Sequence, residues 1–171
     1  LGSLRLNRAT VHEEDWATVW KQYYHPTPIG EKLLVVPSWE LDEVANDERV
    51  KLVLDPGMAF GTGTHASTRL CLELLEQAVK PDDEMLDVGC GSGILAVASL
   101  LLGAKRAVGV DIDELAAKIA LENAALNHVE DRLTTYVGDL TDKITGTYDV
   151  ICANIVADVI IPLSAHVPDL L

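Results

Sequence analysis

The stretch Met85-Leu-Asp-Val-Gly-Cys-Gly-Ser-Gly-Ile-Leu95 constrains this chain more than any other. Met85 to Val88 is a short apolar run, the pattern of a buried strand, interrupted only by Asp87. Three glycines follow at alternate positions, Gly89, Gly91 and Gly93, and Ile94 to Leu102 then reads as a buried helix. A strand, a glycine turn and a helix in that order set a helix N-terminus beside the strand's carboxyl edge, where open α/β sheets bind ligands. Glycine is needed there because a side chain would block close approach of a ligand and resist the positive φ of a tight turn.

The loop is Gly-x-Gly-x-Gly rather than Gly-x-Gly-x-x-Gly, and no Lys-Ser/Thr follows it, which argues against a pyrophosphate. Ala107-Val-Gly-Val-Asp111 reads as a second strand ending in a carboxylate, 22 residues beyond Gly89 (111 − 89). That spacing suits an acid accepting hydrogen bonds from ribose hydroxyls, and a helix N-cap is the structural alternative. A nucleoside ligand without a pyrophosphate satisfies both observations, and S-adenosylmethionine is the commonest of these.

With 171 residues, 49% of them hydrophobic, the chain can bury a core and is not expected to be disordered. No apolar run reaches the ~18 residues of a membrane span, and the first residues lack the layout of a secretory signal. Cys71, Cys90 and Cys152 are scattered and odd in number, which fits a reducing cytoplasm. Thirteen basic against 27 acidic residues give a net charge of −14. Such a surface repels phosphate backbones, and the dispersed lysines and arginines form no basic patch, so direct nucleic-acid binding is not expected. A basic protein or a small molecule is the better-matched partner, although acidity can equally serve solubility alone.

Along the chain, residues 11–24 place Trp16, Val19, Trp20 and Tyr23 on one helical face, ended by Pro26 and Pro28. That stripe either packs on the domain or docks a neighbouring one. Lys32–Pro37 and Lys51–Leu54 read as strands joined by an acidic loop. Asp55-Pro-Gly-Met-Ala-Phe-Gly-Thr-Gly-Thr-His65 is a second glycine-rich loop. Thr64 or Ser67 can cap the helix that follows, with Leu70, Leu74, Leu75 and Ala78 as its core face. Asp113 opens a helix over 114–126 with Leu115, Ile119, Leu121, Ala125 and Leu126 as candidate core. Leu133–Val137 and Tyr148–Ala153 read as further strands, the second followed by Asn154 and another helix. The alternation predicts a parallel, three-layer α/β sheet.

Four segments together resemble one family. They are Asp-Pro-Gly-Met-Ala-Phe-Gly-Thr-Gly-Thr-His (55–65), Asp-Val-Gly-Cys-Gly-Ser-Gly-Ile-Leu (87–95), Gly-Val-Asp-Ile-Asp (109–113) and Ala-Asn-Ile-Val-Ala (153–157). The chain resembles the class I S-adenosylmethionine-dependent methyltransferases and, within them, the ribosomal protein L-eleven methyltransferase (PrmA) family. The resemblance implies a Rossmann-like α/β/α fold with a mostly parallel sheet, lacking its last strands here. It also implies a linker helix over 1–30, following a separate substrate-recognition domain, and a donor-binding domain over 31–171. The implied activity is methylation of lysine and N-terminal amines on a large-subunit ribosomal protein, in the cytoplasm, with S-adenosylmethionine as cofactor. A small-molecule methyltransferase and a non-catalytic S-adenosylmethionine-binding module are the alternatives, and a nicotinamide-dependent oxidoreductase is opposed by the glycine spacing.

Methyl transfer from a sulfonium needs donor and nucleophile aligned and dry. Asn154, just past a strand's carboxyl end and beside the donor, is the candidate catalytic residue and also a candidate donor contact. Its side-chain carbonyl can accept amine hydrogens and aim the lone pair, or it can simply cap the next helix. Asn-Ile-Val-Ala puts no aromatic ring after the asparagine, which suits a flexible amine better than a planar base. Gly89 and Gly91 approach the methionine portion of the donor, and Asp111 its ribose. Asp139 meets the adenine amino group or serves as a turn residue. By resemblance, Thr68 contacts the donor, while Phe60, Gly61, Thr62, Gly63, Thr64 and His65 cover donor and incoming amine. Phe60 either walls the methyl site or belongs to the core. His65 is either a general base or a locally bonded loop histidine. Cys90 lacks a partner base, and no zinc-ligand spacing occurs, so no metal is expected.

Overall fold

The two central strands of the main sheet are short, nearly apolar runs covered on both faces, whereas the edge strand Leu133–Val137 is largely exposed. The computed structural model describes residues 24–55, 65–139 and 144–171. Within them, β1 (Thr27–Ile29), β2 (Leu33–Pro37) and β3 (Val50–Leu54) form a small sheet, with β1 antiparallel and β3 parallel to β2. β4 (Glu84–Val88), β5 (Arg106–Asp111), β6 (Leu133–Val137) and β7 (Val150–Ala153) form a parallel sheet in the order β6-β5-β4-β7.

Among the described residues four α-helices accompany them: α1 (Ala66–Ala78), α2 (Ile94–Leu101), α3 (Glu114–Leu126) and α4 (Ala157–Leu163). Side chains alternate across β4. Met85 joins Ile94, Val97, Ala120 and the inner residues of β1–β3 on one face, whereas Leu86 and Val88 join Val108, Val110, Tyr148 and Leu163 on the other. The result is a sheet between helix layers, as the alternation of elements requires. The strand order reverses at β4: β5 and β6 lie to one side and β7 to the other. A crevice therefore opens at the carboxyl ends of β4, β5, β6 and β7, the usual ligand position in such sheets.

Several sequence expectations change. β1 is an additional strand, too short and too proline-marked to show a period of two. The 3₁₀ helix Ser38–Val44 occupies part of the acidic loop between β2 and β3. On α1, Leu70 and Leu74 are 59% and 63% exposed and Ala78 is also exposed. Leu75 is buried as expected, and it shares the buried stripe with Thr68, Leu72 and Glu76. On α3, Leu115, Leu121, Ala125 and Leu126 are exposed, Ile119 is half-buried, and Ala116, Ala117, Ala120, Asn123 and Ala124 face inward. The reason is proximity. A Cβ on Gly93 would lie 2.7 Å from the Ala120 Cβ, so α3 sits against the glycine turn where large side chains do not fit. His65 holds the N-cap position of α1 with no side-chain cap bond. The aromatic stripe of 11–24, up to Tyr23, and Thr64 lie outside the described residues.

Candidate functional site

β4 runs directly into the turn that shapes the crevice floor. Gly89, Gly91 and Gly93 have φ of 73°, 52° and 74°, the left-handed region that favours glycine. Gly89 and Cys90 donate their N–H groups to the Val110 carbonyl at 2.8 and 3.0 Å, tying the turn to β5. Gly93 N–H bonds the Cys90 carbonyl at 2.8 Å and α2 starts at once. At Gly89 a Cβ would collide with the Ile155 Cγ2, so the strand-end residues of β4 and β7 meet across this glycine.

Asp111 closes the end of β5. Its Oδ2 accepts from Gly91 N–H at 2.8 Å and its Oδ1 from Asp113 N–H at 3.0 Å. Helix capping falls to Asp113, whose carboxylate accepts from Leu115 N–H at 2.9 Å. Asp111 is therefore a half-exposed carboxylate oriented by backbone amides, with acceptor capacity left over.

The crevice has two lobes that share Gly89, Gly91, Asn154, Ile155 and Val156. The first, about 340 Å³, is also walled by His65, Ser67, Thr68 and Asp87. The second, about 450 Å³, adds Asp111, Ile112, Gly138 and Asp139. These volumes are those of small-molecule sites. Asn154 stands where the lobes meet, and its Nδ2 donates to Thr68 Oγ1 at 3.0 Å. His65 Nδ1 and Ser67 Oγ are 2.9 Å apart, the locally bonded alternative for that histidine. Phe60, Gly61, Thr62 and Gly63 lie outside the described residues. Thr68, Gly89, Gly91, Asp111, Asp139, Asn154 and His65 thus all line one crevice.

Asp87 is only 1% exposed, yet it lines the first lobe. Its Oδ2 accepts from Ala96 N–H at 3.2 Å, and its Oδ1 has no hydrogen-bond partner among the described residues. Burial pushes its carboxyl up to about 7; the Asp111 charge pushes the same way and the Ala96 amide opposes. Such an atom is costly to bury bare, and an ammonium group meeting it would relieve that cost. Burial raises Cys90 far above its ordinary value and Cys152 to about 12, so both remain thiols rather than nucleophiles. Among the described residues no group of three His, Cys, Asp or Glu is placed to hold a metal ion.

A family model described as "Ribosomal protein L11 methyltransferase (PrmA)" matches residues 1–171. The chain belongs to the ribosomal protein L11 methyltransferase family. Among curated members, the protein of that name from Desulfitobacterium hafniense is 52% identical over 167 residues, covering 98% of this chain and 52% of its own length. The one from Thermoanaerobacter pseudethanolicus is 48% identical over 168 residues, covering 98% and 54%. The chain thus spans about half the length of the curated relatives it matches. A crystal structure of ribosomal protein L11 methylase from Lactobacillus delbrueckii subsp. bulgaricus superimposes with a TM-score of 0.78 at 37% identity, covering 86% of this chain and 75% of that one. An RNA methyltransferase from Salinibacter ruber in complex with S-adenosyl-L-homocysteine gives 0.55 at 26% identity, covering 60% and 67%.

In this member of the L11 methyltransferase family the crevice also contains residues that sequence spacing did not single out. Asp87 is the foremost, and its signal was a lone charge inside an otherwise apolar strand. Ile112, 74% exposed, and Val156 offer apolar walls in the second lobe, flagged only by following Asp111 and Asn154.

Proposed function

We propose that this chain is the donor-binding part of an S-adenosylmethionine-dependent methyltransferase that modifies lysine and N-terminal amines of a large-subunit ribosomal protein. In this reading 31–171 form the donor-binding domain together with β1, which pairs with β2, and the part of 1–30 before β1 links it to a recognition domain. The observation that carries it is the crevice itself: a turn without side chains at Gly89 and Gly91, a ribose-type acid at Asp111, and a buried carboxyl oxygen at Asp87 with no partner among the described residues. Family membership narrows the ligand to S-adenosylmethionine.

The chemistry supplied by the donor, once bound, is an electrophilic methyl on a sulfonium. The protein's part is to bind, orient and exclude water. Asp111 receives the ribose hydroxyls, with Asp139 and Ile112 at the adenine end of the second lobe. Gly89 and Gly91 leave room for the amino-acid portion, and Asp87 offers its unpartnered oxygen to that portion's ammonium. The substrate amine, with a solution pKa of about 10.4, must shed a proton before its lone pair can attack. Burial beside acceptors favours the neutral amine without any strong base. The Asn154 carbonyl accepts one of its remaining hydrogens, held in register by the Nδ2–Thr68 bond.

The test uses the full-length protein, tritiated S-adenosylmethionine and purified large-subunit ribosomal proteins, with the label located by mass spectrometry. Label on lysine and N-terminal nitrogens of one such protein is the expected result. Label only on small molecules, or none with donor bound, sinks the reading.

A further inference from the structure

Asn123 on α3 and Asn127, the residue that caps its C-terminus, carry a network that no step above uses. Asn123 is 2% exposed, and its one amide bridges two distant parts of the chain. Its Nδ2 donates to the Ser92 carbonyl at 2.8 Å, inside the glycine turn, and its Oδ1 accepts from Asp55 N–H at 3.3 Å, just past the end of β3. A carbonyl on one side and an N–H on the other permit only this orientation of the amide, because the flipped group would oppose like with like. One turn further along, Asn127 treats β3 as a neighbouring strand would. Its Oδ1 accepts from Val53 N–H at 2.8 Å, while its Nδ2 donates to the Val53 carbonyl at 2.6 Å and the Asn123 carbonyl at 2.7 Å. Helix α3 therefore presents a polar ladder to β3 amid alanines, and only its first rung reaches the donor turn.

We infer that Asn123 is a positioning residue that sets the donor turn at Ser92 and the exit of β3 at Asp55 in one fixed relation, with Asn127 holding β3 in place behind it. The placement rests on the donor-binding reading of the turn. Loss of the Asn123 amide would take a buried partner from the Ser92 carbonyl, which is costly, and three glycines with positive φ leave the turn pliable even with its bonds to Val110 and Asp111. Asn123 supplies that restraint from outside the turn, without touching the crevice: it is not among the residues of either lobe.

The experiment compares Asn123→Asp, Asn123→Ser and Asn127→Ala in the full-length protein. Asn123→Asp retains an acceptor for Asp55 N–H but turns an oxygen toward the Ser92 carbonyl. Amide exchange of residues 89–95 in the ligand-free protein should then accelerate at least about tenfold. S-adenosylhomocysteine should bind at least about tenfold more weakly, with turnover at saturating donor within about threefold of wild type. Asn127→Ala should lower the melting temperature but leave S-adenosylhomocysteine affinity within about threefold, because its partners are on β3 and α3. Asn123→Ser decides the matter if the aspartate does not fold. Wild-type exchange across 89–95 in the Asn123 variants overturns the inference. So does an equal loss of affinity in Asn127→Ala, which would make the effect one of general stability. Failure of the wild type to bind S-adenosylhomocysteine would refute the donor reading instead, and the exchange comparison would still judge Asn123.

Discussion

Asn154 Nδ2 donates to Thr68 Oγ1 at 3.0 Å, joining the end of β7 to the first turn of α1 across 86 residues. Thr68 is buried on the same helical stripe as Leu72, Leu75 and Glu76, so α1 is anchored at both ends. At its far end Glu76 accepts from the N–H groups of Glu31, Lys32 and Leu33 at 2.9–3.0 Å. Removing the asparagine amide should separate binding from chemistry. Asn154→Ala is expected to reduce turnover about a hundredfold while S-adenosylhomocysteine affinity changes less than about tenfold, by single-turnover kinetics and calorimetry. Thr68→Val keeps the shape, loses the hydroxyl, and should cost turnover about tenfold. Unchanged turnover in Asn154→Ala would remove the proposed role.

Asp87 makes stability depend on pH in a definite direction. Its folded value of about 7 exceeds the unfolded 3.8, so the folded protein holds the proton more tightly. The stabilisation is complete below pH 3.8 and lost as pH rises through 7. Asp87→Asn should therefore raise the melting temperature more at pH 8 than at pH 5, and should weaken donor binding about tenfold at pH 8. Thermal unfolding and titration calorimetry across pH 5–9 measure both; a melting difference independent of pH would contradict the assignment.

Asp111 and Asp139 line the same lobe with unequal constraint. Two backbone amides hold Asp111, whereas Asp139 is exposed on the turn after β6. Asp111→Ala is expected to weaken S-adenosylhomocysteine binding about a hundredfold, and Asp139→Ala by less than about tenfold, since an oriented acceptor loses less entropy on binding. Calorimetric titration ranks the two, and the reverse order would reassign them.

Gly89 separates steric from conformational cost. Gly89→Ala adds a collision with Ile155 to an unfavourable φ of 73°, and about 2–4 kcal/mol of destabilisation is expected. Adding Ile155→Ala should recover only the collision, leaving about 1 kcal/mol of backbone strain in a denaturation cycle. Full recovery would mean that φ at this position carries no strain.

The glycine turn, the strand-end acid and the helix bounds over 114–126 were legible because each depends on local chain geometry. Which face of a helix is buried was not. Leu70 and Leu74 on α1, and Leu115 and Leu126 on α3, look like core by hydrophobicity alone, which carries no information about distance, yet all four are exposed. Ala120 is buried because Gly93 is beside it, a contact between residues 27 positions apart (120 − 93) that no periodicity encodes. Asp87 was visible as an interruption in β4, but its bare oxygen exists only once Ala96 and the sheet enclose it. The polar ladder of Asn123 and Asn127 was hidden likewise, since asparagine on a helix ordinarily signals a solvated face.

The nearness of Asp87 to Asp111 gives the crevice an electrical selectivity that follows the proposed reaction. A sulfonium arrives with a positive charge, and the thioether left after transfer has lost it. Two acidic groups that draw in the first thus hold the second less firmly, so release of the spent molecule is favoured by the same transfer that consumes the fresh one.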